Sequence, residues 1–155
     1  MSTIFVDKLK NPSGGNNVKV NQLSGIDTAG SISVQGEGTN TTNLQQGLCK
    51  QWVHFNGTGT SGGATIAAVD SFNTSSLLDN NTGDYQVSIA NNMNNVGYSV
   101  SGTIAFEATG TNSLPRQGPA VNEHATSTYQ VYAGSNTTSL GDSEVVNTQT
   151  MGDLA

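Results

Sequence analysis

Apolar and polar residues alternate over short runs of this chain, which is the period of a β-strand with one buried face. The clearest run places Tyr85, Val87 and Ile89 on one face, with polar residues between them. Residues 96–108 alternate in the same way, and we expect this longer strand to bend at Gly102. The alternation therefore predicts an all-β protein.

The density of large apolar residues rises from Leu44 onwards. Turn residues recur in this part of the chain roughly every 8 to 12 residues, which is the spacing that is typical of β-sandwiches and jelly rolls. The predicted strands cover residues 49–55, 64–72, 84–89, 96–108, 126–133 and 145–151, with a Leu77-Leu78 step between the second and the third. Asn56-Gly57 predicts a hairpin turn, and residues 110–123 are the longest predicted loop. The predicted fold is an antiparallel β-sandwich, jelly-roll-like.

Residues 1–43 differ from the rest, because they consist of short strand-like runs and contain no aromatic residue after Phe5. The runs cover residues 3–9, 18–23 and 31–35. Residues 36–43 have the composition of a flexible linker. We therefore divide the chain into an extended, strand-forming N-terminal segment with its linker, residues 1–43, and a β-sandwich domain, residues 44–155.

The composition supports this fold class and adds a consequence for assembly. Ser, Thr, Asn and Gly make up nearly half of the chain, and these residues lower helix propensity. Only about a fifth of the residues are Ile, Leu, Val or Phe, so the core is thin. Because the strand-forming N-terminal segment cannot cover its own apolar faces, we expect partner subunits to cover them.

Charge and cysteine content exclude several classes of partner. The net charge is −6, and the five basic residues are too dispersed to neutralise several phosphates, so we expect no nucleic-acid partner. No apolar run approaches the ~20 residues of a membrane span, so we expect no membrane insertion. The first residues lack the features of a secretion signal. The single Cys49 excludes an intrachain disulfide and fits synthesis in a reducing cytoplasm.

Few residues suggest metal or cofactor chemistry. The only histidines, His54 and His124, lack a nucleophile motif nearby, so each is interpreted as a surface or inter-subunit histidine. Residues 79–84 are rich in oxygen donors, but the register of an EF-hand loop is absent and a tight turn with Gly83 at positive φ is favoured. The glycine-rich residues 57–63 lack the lysine of a phosphate loop. We expect no metal and no cofactor.

Catalytic and sugar-binding candidates are weak. Asp70, Glu107 and Glu123 are formal candidates for glycoside hydrolysis, but the acids are scattered and no converging pair is evident, so no enzyme is predicted. Three aromatic residues are weak glycan-stacking or interface candidates, namely Trp52, Tyr129 and Tyr132. A strand places Trp52 and His54 on one face, with Val53 and Phe55 on the other. We expect both faces to be covered, either between two layers or at a subunit interface, and Trp52 to be buried.

Several motifs follow one another in a distinctive order. They cover residues 52–60, 70–77, 79–87 and 90–100, and the last motif is Met151-Gly152-Asp153. Over residues 49–153 this order resembles a family of small, tail-fibre-like virion proteins of tailed bacteriophages, notably marine ones. The first ten residues are similar to the attachment leader that often precedes this module.

The resemblance implies a β-sandwich appendage domain, often trimeric, that is attached to the virion by its N-terminal segment, and it supplies no catalytic residues. We therefore expect a non-enzymatic virion structural protein, made in the host cytoplasm and placed on the virion surface. It would be a homotrimeric fibre, knob or decoration protein, docked on capsid or tail proteins through residues 1–43. The alternatives are a module that binds host-surface glycans as a receptor, and a subunit of a surface filament.

Overall fold

The computed structural model describes residues 32–35, 39–60, 62–105, 120–122, 124–135 and 139–155. The N-terminal elements are β1 (Ser33–Gln35), β2 (Thr41–Asn43) and the one-turn helix α1 (Leu44–Gly47). The middle strands are β3 (Cys49–Phe55), β4 (Ala64–Ile66), β5 (Ala68–Phe72), β6 (Thr74–Asn81), β7 (Asp84–Ile89) and β8 (Ser99–Ala105). The last strands are β9 (Ala120–Asn122), β10 (Thr128–Tyr132), β11 (Gly134–Ser135), β12 (Ser139–Leu140) and β13 (Val145–Met151).

Two antiparallel sheets pack against each other, which confirms the predicted all-β sandwich. One sheet has five strands in the order β4-β6-β7-β10-β9, and the other has four in the order β5-β3-β13-β8. Two further pairs, β1-β2 and β11-β12, lie outside these sheets. The strands predicted at residues 49–55, 84–89 and 145–151 are found with those bounds.

The core lies between the inner faces of the two sheets. The four-stranded sheet contributes Val53, Phe55, Ile104 and Val146, and the five-stranded sheet contributes Leu77, Tyr85, Val87, Tyr129 and Val131. Phe55 meets Tyr85 edge to face across this space, with ring centroids 5.2 Å apart. Because inward side chains come from alternate positions of each strand, the period-two pattern of the sequence is also the pattern of burial.

The chain passes between the sheets at two places where the sequence predicted otherwise. The predicted strand 64–72 is interrupted at Ala67, because β4 pairs with β6 and β5 pairs with β3. The predicted hairpin at Asn56-Gly57 is wrong, since β3 pairs with β5 and β13 and the chain leaves it for the other sheet. Gly57 instead permits a close approach, because a Cβ there would collide with the Tyr85 hydroxyl.

The strands on either side of the long predicted loop are shorter than expected. β8 covers Ser99–Ala105 of the predicted residues 96–108, and its pairing with β13 runs through Gly102 without a register shift. β10 covers Thr128–Tyr132 of the predicted residues 126–133. Most of the predicted loop and residues 106–108 lie outside the described residues, but β9 lies within that loop and pairs with β10.

The N-terminal part that the structure describes contains more order than a linker. Residues 41–43, expected to be flexible, form β2 and pair with β1. The side chain of Asn43 then caps α1, because its Oδ1 accepts a hydrogen bond from the Gln46 amide at 3.0 Å. The strands predicted at residues 3–9 and 18–23 lie outside the described residues. Among the helices described, none has the length and apolarity needed to cross a bilayer.

Candidate functional site

The outer face of the four-stranded sheet contains a groove beside the chain's single tryptophan. Antiparallel pairing places Trp52 opposite Gln149, and Gln149 opposite Ser101, so that their side chains form one row across three strands. Asn147 and Thr103 form the next row. The groove has a volume of about 440 Å³ and is lined by Trp52, Val53, Ser101, Gly102, Thr103, Asn147, Thr148 and Gln149. We call it the Trp52 groove.

Trp52 lies on the solvent side of its sheet. Val53 and Phe55 are buried, whereas Trp52 and His54 are half-buried, so the predicted division of faces is confirmed. Within a single chain the second sheet packs only on the inner face and leaves Trp52 half-buried, so the cover of Trp52 by a partner subunit stays a prediction. Phe72 is the cross-strand neighbour of Trp52 and is 53 % exposed, so the two aromatic side chains lie next to each other on the outer face.

The lining of the Trp52 groove is uncharged. Its polar side chains are amides and hydroxyls, and the Gln149 Nε2 donates to the Ser101 Oγ at 3.3 Å. Amides and hydroxyls both donate and accept hydrogen bonds. The nearest ionisable residue of the same rows is His54, which stands beside Asn147. The groove therefore combines an aromatic surface with neutral hydrogen-bonding groups.

His54 and Asp70 are directly opposite each other at the edge of this face, a pairing that the sequence did not predict. Ser71 follows Asp70 in β5 and is the nearest hydroxyl residue in the chain. Its side chain belongs to the opposite face of the strand, because neighbouring side chains alternate. Asp70 is exposed, and its Oδ1 accepts a hydrogen bond from the Ser71 amide at 2.8 Å. No catalytic triad is assembled by this register. Glu107 and Glu123 lie outside the described residues.

Tyr129 does not belong to a surface site, so its candidacy for sugar stacking is wrong. Its ring is fully buried in the core. Its hydroxyl donates to Gln51 Oε1 at 2.9 Å and, having one proton, accepts from Thr148 Oγ1 at 2.7 Å. Burial raises the pKa of Tyr129 well above its usual value. Since Tyr129 is on β10 and its partners are on β3 and β13, these hydrogen bonds join the two sheets.

Gln51 was missed as a structural residue by the sequence analysis. It is fully buried, and its Nε2 donates to Thr74 Oγ1 at 2.9 Å while its Oε1 accepts from Tyr129. The sequence did contain one indication, because Gln51 has the same strand phase as Val53 and Phe55. A polar side chain in an apolar phase needs internal partners, and the strand pattern does not identify them.

Tyr132 faces the opposite side of the molecule from Trp52. In β10 the buried positions are Tyr129 and Val131, so Tyr132 and Gln130 point outward from the five-stranded sheet. Tyr132 is half-buried and its hydroxyl donates to Gln130 Oε1. The three aromatic candidates therefore occupy three different environments and form no common site.

His124 packs against a tyrosine. Its ring stacks on Tyr98 with centroids 4.8 Å apart and an interplanar angle of 11°, and its Nε2 is buried without a hydrogen-bond partner. The Tyr98 hydroxyl donates to the Ala125 carbonyl at 2.9 Å, and burial raises the pKa of Tyr98 to about 12. The half-buried stack gives His124 a packing role within one chain, where the sequence predicted a surface or inter-subunit residue.

The oxygen-rich segment 79–84 is a tight turn, as predicted. Gly83 has a φ of 65°, and the Asn81 Oδ1 accepts a hydrogen bond from the Thr82 amide at 2.9 Å. Asp79 is fully buried, with Thr60 donating to its Oδ2 at 3.0 Å and its Oδ1 unpartnered. Desolvation raises the pKa of Asp79. In the described part of the chain, no group of three or more His, Cys, Asp or Glu residues is arranged to hold a metal ion.

Among the residues that the structure describes, the Trp52 groove combines exposure, an aromatic surface and convergent polar groups. It was only partly predictable, because the sequence located Trp52 but not the strands that β3 pairs with. No protein-family model, no curated protein and no solved structure matches this chain.

Proposed function

We propose that this chain is a non-enzymatic structural protein of a bacteriophage virion, a short oligomeric fibre, knob or decoration protein. Residues 1–43 attach it to the tail or capsid, and the β-sandwich projects from the particle surface. The motif order over residues 49–153 is the origin of this proposal. The observed antiparallel sandwich agrees with the fold that this resemblance implies.

The observation that carries the proposal is an exposed apolar patch at one end of the four-stranded sheet. Leu48 is 53 % exposed and Met151 is 44 % exposed. Both are at the same end, because Met151 pairs with Cys49, the neighbour of Leu48. This is also the end at which the chain arrives from the N-terminal segment through α1. Large apolar side chains that face water next to an attachment segment favour a protein–protein contact there.

The distribution of charge gives independent support for a distinct N-terminal segment. Residues 1–23 contain Lys8, Lys10 and Lys19, three of the five basic residues, and only one acid, Asp7. The other ten acidic residues follow in the remainder of the chain. Over the whole of residues 1–43 the lysines are balanced by Asp7, Asp27 and Glu37, so the segment has no net charge and the sandwich, residues 44–155, carries the chain's net charge of −6.

Homotrimer formation is part of the proposal. The core between the sheets is small. The apolar patch of Leu48 and Met151 is exposed in the part of the chain that the structure describes. Association of copies through this end would bury that patch and stabilise the fold by mass action.

The position of the protein on an intact particle tests the proposal. Antibodies against the full chain, used for immunogold electron microscopy on purified virions of the phage that encodes it, should label one fixed site per appendage. Sedimentation of the full chain at micromolar concentration should give a trimer.

Two results would contradict this proposal separately. Purified virions that contain neither label nor peptides of the chain would exclude the virion role. Sedimentation as a monomer at all concentrations would exclude the trimer. It would not bear on the virion role, which the immunogold labelling tests.

A further inference from the structure

We infer that the Trp52 groove binds a neutral oligosaccharide, with the indole of Trp52 as the stacking surface and the amides of Asn147 and Gln149 as hydrogen-bonding groups. This inference goes beyond the virion role and does not depend on it. It concerns only the outer face of the four-stranded sheet.

The arrangement of polar groups is the first argument. Gln149 and Ser101 form one cross-strand pair, and Asn147 and Thr103 form the next pair two residues along. Neighbouring strands are ~4.8 Å apart and residues i and i+2 are ~6.6 Å apart, so these four side chains surround an area of roughly these dimensions. Sugar hydroxyls both donate and accept hydrogen bonds, and each of these side chains does the same.

The aromatic surface is the second argument. Trp52 is half-buried, so its position is fixed by the sheet while part of the ring stays open to solvent. Phe72, its cross-strand neighbour, extends the apolar surface. The C–H face of a pyranose ring packs against such rings, and two adjacent rings suit more than one sugar unit. An oligosaccharide is therefore favoured over a monosaccharide.

The absence of charge in the lining disfavours anionic ligands. The eight residues that line the groove have no ionisable side chain. The next residues across the sheet edge are His54 and the exposed carboxylate of Asp70, and the chain as a whole has a net charge of −6. A phosphate, a sulfated glycan or a uronate would meet no compensating cation in the groove. Neutral sugars meet no such penalty.

A second copy of the chain is the competing occupant of this face. A stable protein–protein interface buries about 800 Å² on each partner and is most apolar at its centre. Beside Trp52 the groove is lined by amides and hydroxyls, whereas the exposed apolar residues Leu48 and Met151 lie at the end of the sheet and Phe72 lies on its edge strand, β5. The groove therefore stays open to solvent when that end is covered.

The test uses the full chain and a defined panel of glycans. Neutral oligosaccharides of glucose, mannose, galactose and N-acetylglucosamine are compared with sialylated, sulfated and uronate-containing glycans on an array. Hits are titrated in solution, where Trp52, the only tryptophan of the chain, reports occupancy directly through its fluorescence. At least one neutral oligosaccharide should bind and change the emission.

Variants assign the binding to the groove. Trp52→Ala should abolish or weaken array binding by about tenfold or more, and Asn147→Ala should do the same while keeping the fluorescent reporter. Tyr132→Ala is the matched control, because Tyr132 is an aromatic residue on the outer face of the other sheet. It should leave binding unchanged, and thermal melting confirms that each variant is folded.

The inference is overturned if no neutral glycan changes Trp52 emission, if only anionic glycans bind, or if binding persists in both Trp52→Ala and Asn147→Ala. Dissociation of the oligomer by Asn147→Ala, without any glycan binding to the parent protein, would assign the face to a second copy instead. Because the assay needs no particle, absence of the protein from virions would leave its outcome unaffected.

Discussion

The two faces of the four-stranded sheet are built from the same strands but have different chemistry. On the inner face, β3 and β13 present Val53, Phe55 and Val146 to the other sheet, and all three are buried. On the outer face, the neighbouring positions carry Trp52 and Asn147, which are half-buried. The comparison teaches that a strand with apolar residues in both phases need not lie between two layers. One phase builds the core, and the other leaves an aromatic ring half-buried on the outer face of a single chain.

The difference between the two faces is tested most directly by truncating one aromatic residue on each face. Phe55→Ala removes a fully buried ring that packs edge to face on Tyr85, and it should lower the free energy of unfolding by about 3 to 5 kcal/mol. Trp52→Ala removes a larger but half-buried ring, and it should cost about 1 to 2 kcal/mol. Chemical denaturation of both variants measures the difference. An equal loss in the two would mean that Trp52 is covered, by another subunit or by residues 1–31.

A smaller effect is expected from the hydrogen bonds that join the sheets inside the core. Tyr129→Phe keeps the buried ring but leaves Gln51 Oε1 and Thr148 Oγ1 without their shared partner. Because both groups are buried, the free energy of unfolding should fall by about 1 to 3 kcal/mol.

The control for this prediction is Tyr132→Phe, which removes a hydroxyl from the outward side of the same strand. Its bond to Gln130 is close to solvent, so water can replace it and the stability should change by less than about 0.5 kcal/mol. A Tyr129→Phe variant as stable as the parent would show that the three polar groups contribute no net stabilisation.

The two faces also show how much of the fold can be predicted from the sequence. The alternation in residues 49–55 and 84–89 was sufficient to divide each strand into two faces, since the period of a strand is local information, but it did not show which face of residues 49–55 forms the core. The hairpin expected at Asn56-Gly57 was wrong, because the dipeptide permits a turn but does not choose the sheet in which the chain continues. Strand order is set by contacts between distant residues, and single-sequence patterns do not contain it.

The candidate site failed to appear in the sequence for the same reason. The sequence shows Trp52 as a lone tryptophan in a predicted strand, but its neighbours in the Trp52 groove come from β8 and β13, about fifty and one hundred residues later. Tyr129 was grouped with Trp52 by residue type alone. Only the pairing of strands shows that Tyr129 is in the core with Gln51 and that Trp52 is outside with Gln149.

The smallest expected effect concerns a carboxyl on the interior side of β6. Asp79 is fully buried with one oxygen unpartnered, and desolvation raises its pKa above the ordinary value of 3.8. A raised pKa in the folded state means that the folded protein holds this proton more tightly than the unfolded chain does. The contribution of Asp79 to stability is therefore complete below about pH 4. It is lost as the pH rises through the folded-state pKa.

Comparison of the parent with Asp79→Asn isolates this contribution from those of the other acids. The melting temperature of the variant relative to the parent should increase as the pH is raised from 3 towards 7, because only the parent acquires a buried charge. Thr60→Val provides the second variant, since the Thr60 hydroxyl donates to Asp79 Oδ2 and favours its ionised form. Its loss should move the decline to higher pH. A pH-independent difference between parent and Asp79→Asn would mean that the carboxyl stays solvated in the folded protein, and the interior would then be less dry at this end than at Phe55.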